Sequence, residues 1–292
     1  MRHSGEICVY SLVILLLSTG AHHRNQAWKS DAGLWADCAK KSPGKARPYN
    51  NLGRAVAEQG RYLEAIPYLT RALHLNPDYA EAHYNLGTVF FNQGRYEEAT
   101  VHLKEALRID PNYAGAHNNL GNIFSIQGKY EDAIAQFAEV LRIEPNSERA
   151  HNNLGDVYTH EGRYEEAIAQ FIEALQINVN CEEAHFNLGN TYAHQGRYQE
   201  AFTQLTEALE INPNDAEAHD VLGIVFDHLG RYQEAVAQFT EALQINPNYA
   251  KVYFNLGMEY LRVGNRNQAL REYEILKTMN VALANALYEK IK

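Results

Sequence analysis

Apolar and small residues recur along this chain with two superimposed periods. The short period is helical. Within Ala80–Tyr113 (AEAHYNLGTVFFNQGRYEEATVHLKEALRIDPNY), His83, Leu86, Gly87 and Phe90 form one series, and Tyr96, Ala99, Leu103 and Ala106 form another. Steps of three and four residues put such side chains on one face of an α-helix. Asn92-Gln93-Gly94-Arg95 separates the two series and Asp110-Pro111 follows the second. The stretch therefore predicts two amphipathic helices of about 13 residues joined by a tight turn.

The long period is 34 residues. Six of the eight prolines (Pro43, Pro77, Pro111, Pro145, Pro213 and Pro247) share one 34-residue grid, whose empty node holds Val179. Glycines mark two more grids, from Gly53 to Gly257 and from Gly60 to Gly264. At ~100–200 residues per domain, the 292-residue length alone would suggest two globular domains. The grids instead predict seven repeats: 46–79, 80–113, 114–147, 148–181, 182–215, 216–249 and 250–283. Gly94 and its equivalents end the first helix cheaply if φ is positive there. Glu97-Glu98 places negative charge at the start of the second helix, where the macrodipole favours it. Gly87, Ala99 and Ala106 let paired helices approach, and Pro111 blocks continuation of the second helix. With Val179 in the proline slot, the fourth and fifth repeats are expected to pack differently.

These residues resemble the tetratricopeptide repeat, whose pattern the third unit matches with Leu120, Gly121, Phe124, Tyr130, Ala133, Phe137 and Pro145. The resemblance covers 46–283. It implies an all-α, right-handed superhelical solenoid of helix-turn-helix repeats, with the first helices lining a concave groove. Departures are local. The early tryptophan of the family is Tyr49, then five histidines, then Tyr253; Val140 and Leu276 replace the late alanine. Val281 replaces a proline, and Arg266 a tyrosine, in the last repeat.

The two ends read as closures, since one helix pair cannot bury its apolar face alone. Residues 282–292 predict a C-terminal capping helix with Leu283, Leu287 and Ile291 inward. Residues 24–45 predict a half-repeat helix, with Trp28, Trp35 and Cys38 in the aromatic and small slots and Asp31 where alanine is usual. Residues 1–23 are an apolar segment; the 17 residues from Ile7 to His23 carry no formal charge. A span needs about 20 residues, so Ile7–Ala21 suits a membrane anchor, a cleaved signal or a helix buried on the half-repeat. The run Arg24-Asn25-Gln26-Ala27-Trp28, Leu34-Trp35, Ser42-Pro43 and Arg47 to Gly53 resembles the junction after the last membrane helix in transmembrane-and-tetratricopeptide proteins. That resemblance implies a membrane-tethered array on the non-cytoplasmic side. A secreted or periplasmic chain after signal cleavage is the alternative.

Composition narrows the chemistry. A net charge of −10 lacks the basic footprint of a nucleic-acid binder. Cys8, Cys38 and Cys181 form neither a CxxC pair nor a disulfide framework. There is no nucleophile elbow, no phosphate-cradling loop and no HExxH, so neither catalysis nor a cofactor is expected. His83, His117, His151, His185 and His219 recur every 34 residues in the slot of a packing aromatic. Their spacing of about 10 Å is too wide for one metal ion, and core packing is the expected role. His160, His194 and His228 form a second column nearer the groove, where protonation would modulate binding.

Asn51, Asn85, Asn119, Asn153, Asn187 and Asn255 occupy one slot of the first helices, with Val221 as the break. An amide both donates and accepts, so this ladder is expected to grip the backbone of an extended polypeptide. A similar ladder is used by the repeats of O-linked N-acetylglucosamine transferase. The plainer alternative is a solvated face or bonding between neighbouring repeats. Tyr84, Phe186 and Phe254, one position earlier, would pocket apolar side chains. The expected function is a non-enzymatic protein-interaction scaffold for a protein or peptide ligand, with no metal. The alternatives are an accessory acceptor-binding module of a membrane O-glycosyltransferase system and a structural spacer.

Overall fold

A computed structural model describes residues 30–292, so the apolar segment Ile7–Ala21, together with Cys8 and Trp28, lies outside the described residues. Sixteen α-helices and no strand occur among the described residues. Helix α1 (Asp31–Lys41) precedes the repeats. The first two repeats hold α2 (Ala46–Ala57) with α3 (Tyr62–Leu75) and α4 (Ala80–Asn92) with α5 (Tyr96–Ile109). The third and fourth hold α6 (Ala114–Ile126), α7 (Tyr130–Ile143), α8 (Glu148–His160) and α9 (Tyr164–Ile177). The last three hold α10 (Glu182–His194), α11 (Tyr198–Ile211), α12 (Ala216–His228), α13 (Tyr232–Ile245), α14 (Ala250–Arg262) and α15 (Arg266–Met279). Helix α16 (Val281–Ile291) follows the last repeat. The first helix of each repeat is called the A helix and the second the B helix.

The turn between A and B follows from one residue. Gly94 adopts φ 72°, its N–H donates to Phe91 O at 2.9 Å, and the N–H of Arg95 donates to Phe90 O at 2.9 Å. This Schellman pair uses carbonyls that the end of α4 leaves orphaned, and only a residue without Cβ takes that φ freely. Arg95 then clamps the turn. Its guanidinium lies 4.3 Å from the Phe90 ring centroid, and its Nε donates to Glu98 at 2.6 Å. Arg163 over Tyr158, Arg197 over Tyr192 and Arg231 over Phe226 repeat the stack at 4.3–4.4 Å. The acidic residues at the start of the B helices thus serve this clamp as well as the macrodipole.

The chain forms two compact bodies, one ending at Gln127 and the other beginning at Gly128. In the N-terminal body, Leu52, Leu69, Leu86, Leu103 and Leu120 share one core with Val89 and Ile123. In the C-terminal body, Leu205, Leu222, Phe239 and Leu256 form the centre of another. Helix approach is closest at the Gly53–Gly257 grid: a Cβ on Gly155 would sit 2.6 Å from the Phe171 ring. Side chains of ordinary size do not fit there.

Three sequence expectations change. The empty proline node does not alter packing. Asn178 before Val179 has φ −136° and ψ 96°, close to the −129° and 94° of Asp110 before Pro111. Asn178 Oδ1 accepts from Asn180 N at 3.1 Å, as Asp110 Oδ1 does from Asn112 N at 3.1 Å. This Asx turn sets the junction without proline. In α1, the buried small residue is Ala39 rather than Cys38. Asp31 opens the helix behind Ser30, whose hydroxyl accepts from Gly33 N at 3.2 Å, so alanine is not needed there. In α16, Ala284, Leu287 and Ile291 are buried and Leu283 only partly so. Leu287 Cδ2 stands 2.5 Å from where a Gly257 Cβ would be. In the fifth repeat, the B-helix Leu205 occupies the equivalent notch over Gly189.

Candidate functional site on the A-helix face

The asparagine column lies on the A helices, and its amides first bond the preceding repeat. Asn85 Nδ2 donates to Asn50 Oδ1 at 2.9 Å, Asn187 Nδ2 to Asn152 Oδ1 at 3.1 Å, and Asn255 Nδ2 to Asp220 Oδ1 at 2.9 Å. Each bond spans 35 residues. The residue 35 positions before Asn119 is Tyr84, and Asn119 donates instead to Thr88 Oγ1 at 2.9 Å. Asn51 accepts from its neighbour Asn50 at 3.1 Å. Asn51, Asn85 and Asn119 are 7–8% exposed, whereas Asn153, Asn187 and Asn255 are half-buried. Val221 also has its counterpart: 35 positions earlier stands Phe186, and both pack on the same core cluster. Each donated N–H leaves the amide a second N–H and an accepting oxygen.

The first histidine column is hydrogen-bonded as well as packed. His185 Nε2 is 3.0 Å from Val179 O, and its Nδ1 is 2.8 Å from the Gln204 side-chain amide oxygen. His151 and His219 repeat this with Pro145 and Gln170, and with Pro213 and Gln238. His83 meets Pro77 O and His102, whose own pKa is lowered by burial and by His83. These rings tie the inter-repeat loop to the B helix, a role that an apolar ring does not fill. In the second column, His160, His194 and His228 stack within 5° of parallel on Tyr130, Tyr164 and Tyr198.

Among the described residues, cavities open on the A face. One of about 410 Å³ is lined by Arg54, Tyr62, Tyr84, Asn85, Thr88 and Asn92. Another of about 280 Å³ holds Phe254, Asn255, Asp227, Glu259 and Arg262. The predicted Tyr84, Asn85, Phe254 and Asn255 therefore do line cavities. A third, of about 450 Å³, contains His194 and His228 of the second histidine column but none of the predicted peptide-binding residues. Its walls include Asn190, Tyr198, Ile224, Tyr249 and Val221, with Asp220, Glu217 and Lys251 as its charged groups.

Electrostatics distinguish this third cavity. Asp220 is completely buried. Its Oδ1 accepts from Asn255, but its Oδ2 has no hydrogen-bond donor. Lys251 Nζ lies 3.1 Å from Oδ2 on a side chain that is 58% exposed, so it supplies charge without hydrogen-bond alignment. The Tyr249 phenol, itself in hydrogen-bonding range of the Asp220 carboxylate, is pushed up to about 12, chiefly by burial, then by the charges of Asp220 and Glu217, and further by that hydrogen bond. In the neighbouring cavity, burial first and Asp227 second push Glu259 up to about 7, against the opposing pull of Arg262. The sequence signal for Asp220 was its slot: Asn50, Asn118 and Asn152 hold that position elsewhere, and only this repeat places a charge there.

Among the described residues, no cluster of three or more His, Cys, Asp or Glu side chains is arranged to hold a metal, and no helix is long and apolar enough to cross a membrane.

Comparison with known proteins supplies the family. Models described as tetratricopeptide repeat match residues 50–114, 102–135, 146–214 and 180–248, and one described as TPR repeat matches 121–159. Over 72 residues the chain is 35% identical to Protein O-mannosyl-transferase TMTC3 of Homo sapiens, and over 70 residues 31% identical to that of Drosophila melanogaster. These stretches cover 25% and 23% of the chain and 8% of each relative. Among solved structures, the APC/C hetero-tetramer Cut9-Hcn1 superposes with a TM-score of 0.71 at 16% identity, over 89% of this chain and 52% of that one. YrrB, described as a TPR protein with an unusual peptide-binding site, gives 0.52 at 24% identity, over 63% and 95%. With seven repeats in register and these matches running from residue 50 to residue 248, the chain belongs to the tetratricopeptide repeat family, whose fold serves as a protein-interaction scaffold.

Proposed function

We propose that the chain is a non-enzymatic scaffold that binds an extended polypeptide along its A-helix face, tethered to a membrane through Ile7–Ala21 with its repeats on the non-cytoplasmic side. The cavities on that face carry the reading: they combine aromatic walls at Tyr84 and Phe254 with amides at Asn85 and Asn255. Aromatic walls take side chains, and amides with a free donor and acceptor take a peptide backbone. A photo-crosslinking residue at Asn92 or Asn190 on the A face, compared with one at the exposed Lys104 of α5, tests it in native membranes. Protein adducts are expected from the A-face positions and not from Lys104, with release from membranes when residues 1–23 are deleted. Adducts from Lys104 alone would reverse the assigned face, and no adduct from any position would leave a structural spacer.

A second reading is favoured by the similarity to TMTC3: an accessory module that presents acceptor polypeptides to a membrane O-glycosyltransferase. Its test is whether purification of the full chain from membranes carries O-mannosyl-transfer activity that the chain alone lacks.

A further inference from the structure

A completely buried carboxylate with one oxygen met only by an exposed lysine and no aligned hydrogen bond is unusual, because a poorly satisfied charged acceptor costs more than a neutral one. Asp220 is such a group, and it stands in the wall of the 450 Å³ cavity between α10, α12 and α14. Every other repeat with a polar residue in this slot carries a neutral amide: Asn50, Asn118 and Asn152. A neutral amide suffices to accept from the next repeat, as Asn152 does from Asn187 at 3.1 Å. The charge at Asp220 is therefore surplus to repeat packing.

What meets that charge is loosely held. Lys251 reaches Oδ2 from the cavity rim at 3.1 Å, with a side chain 58% exposed and no hydrogen-bond alignment. Its position shows that a cation is accepted at this point. Glu217, also in the wall, adds a second negative charge, so the three charged side chains sum to −1 with the histidines neutral. Tyr198, Tyr249 and Ile224 provide faces for a methylene stem, and aromatic faces attract cations.

We infer that this cavity is a subsite for a basic side chain, arginine or lysine, of the polypeptide bound on the A face, with Asp220 and Glu217 as its anionic partners and Lys251 as the cation it displaces. The inference rests on the A-face reading and adds the chemistry of the partner. An arginine suits it best, since its planar fork supplies the aligned N–H that Oδ2 lacks. An acidic or phosphorylated segment does not fit, because it would meet two carboxylates. Displacement of Lys251 gives the subsite a signature of its own: removing that lysine strengthens binding of a cation and weakens binding of an anion.

The test is selection of random 12-residue peptides displayed on phage against the full chain, followed by affinity measurement with synthetic copies of the selected peptides. Enrichment of arginine or lysine at one position is expected. Replacing that residue by glutamine should weaken binding about tenfold. Asp220→Asn should weaken binding of the basic peptide by a similar factor and leave the glutamine version unchanged. Lys251→Ala should strengthen the basic peptide about threefold. Asp220→Asn places in this repeat the residue that three others carry, and circular dichroism of both variants verifies that the array still folds. Peptides selected without a basic position, or bound equally by Asp220→Asn, overturn the subsite and leave the A-face reading standing. Selection of no peptide overturns both.

Discussion

His185 holds the carbonyl oxygen of Val179 at 3.0 Å, at the one internal junction where the proline grid is empty. The junction keeps the backbone of its proline-bearing counterparts because the Asn178 side chain and His185 fix it from both sides. Val179 is 68% exposed and follows a residue at φ −136° and ψ 96°, a conformation that proline tolerates in its predecessor. Val179→Pro should therefore stabilise the chain by about 0.4–1 kcal/mol by restricting the unfolded state. That corresponds to a rise of about 1–4 °C in melting temperature. A thermal scan that shows a fall would mean that the Val179 N–H or side chain has a role the fold does not display.

The asparagine column makes an unequal pair of predictions. Asn85→Ala removes the donor to Asn50 Oδ1, on a residue with no exposed surface, and should cost about 1–3 kcal/mol. Val221→Asn restores the residue found at six of the seven repeats, yet should also destabilise, by about 1–3 kcal/mol. The acceptor position 35 residues earlier is Phe186, which offers the new amide nothing. Urea denaturation of the two variants checks both. A neutral Val221→Asn would show that the column does not depend on its preceding neighbour.

That dependence explains what could and could not be read from the chain alone. The helix pairs and the glycine turn were legible because Gly94, Leu86 and Ala99 act within one repeat, through spacings of a few residues. The partner of Asn85 was not, since it is Asn50, and the two meet only when repeats stack in register. The Arg95–Phe90 stack was likewise hidden, because charge pattern alone assigned Glu98 to the helix dipole and left Arg95 without a task. Asp220 is not legible in the repeat pattern because it is the exception to it. Its buried charge becomes visible only once Lys251 and Glu217 are seen around the same cavity.

Glu259 gives the chain a pH dependence of defined sign. Its carboxyl is 2% exposed and shifts from an ordinary 4.5 to about 7, through burial and then the Asp227 charge. A raised carboxyl pKa favours the folded state while the group is protonated. Its contribution is complete below about 4.5 and is lost as the pH rises through about 7. Glu272, pushed up to about 6 by burial, acts in the same direction. Glu259→Gln should flatten the fall in stability across this window and be more stable than the parent chain above it. Denaturation midpoints measured on both sides of pH 7 decide it; parallel curves for parent and variant would refute the assignment.

Leu287 is completely buried against the C-terminal core, over Gly257. Leu287→Ala should cost about 2–5 kcal/mol, the range for a large-to-small change in a closed core. Hydrogen exchange should show the loss concentrated in α14 to α16, because neighbours in a repeat array are coupled most strongly to each other. Uniform loss across the C-terminal body would instead mean that its repeats unfold as one unit.

The seat that Leu287 occupies also bears on how such a chain changes length. Gly53, Gly87, Gly155, Gly189, Gly223 and Gly257 each present a notch, and α16 occupies at Gly257 the kind of seat that Leu205 occupies over Gly189. Helix α16 is fitted to the repeat before it rather than to a particular number of repeats. Gene duplication upstream of residue 250 can add or remove whole repeats while α16 continues to pack on the same surface. The reach of the A-helix face is therefore free to vary in steps of one repeat, without a new partner for Gly257 having to evolve each time.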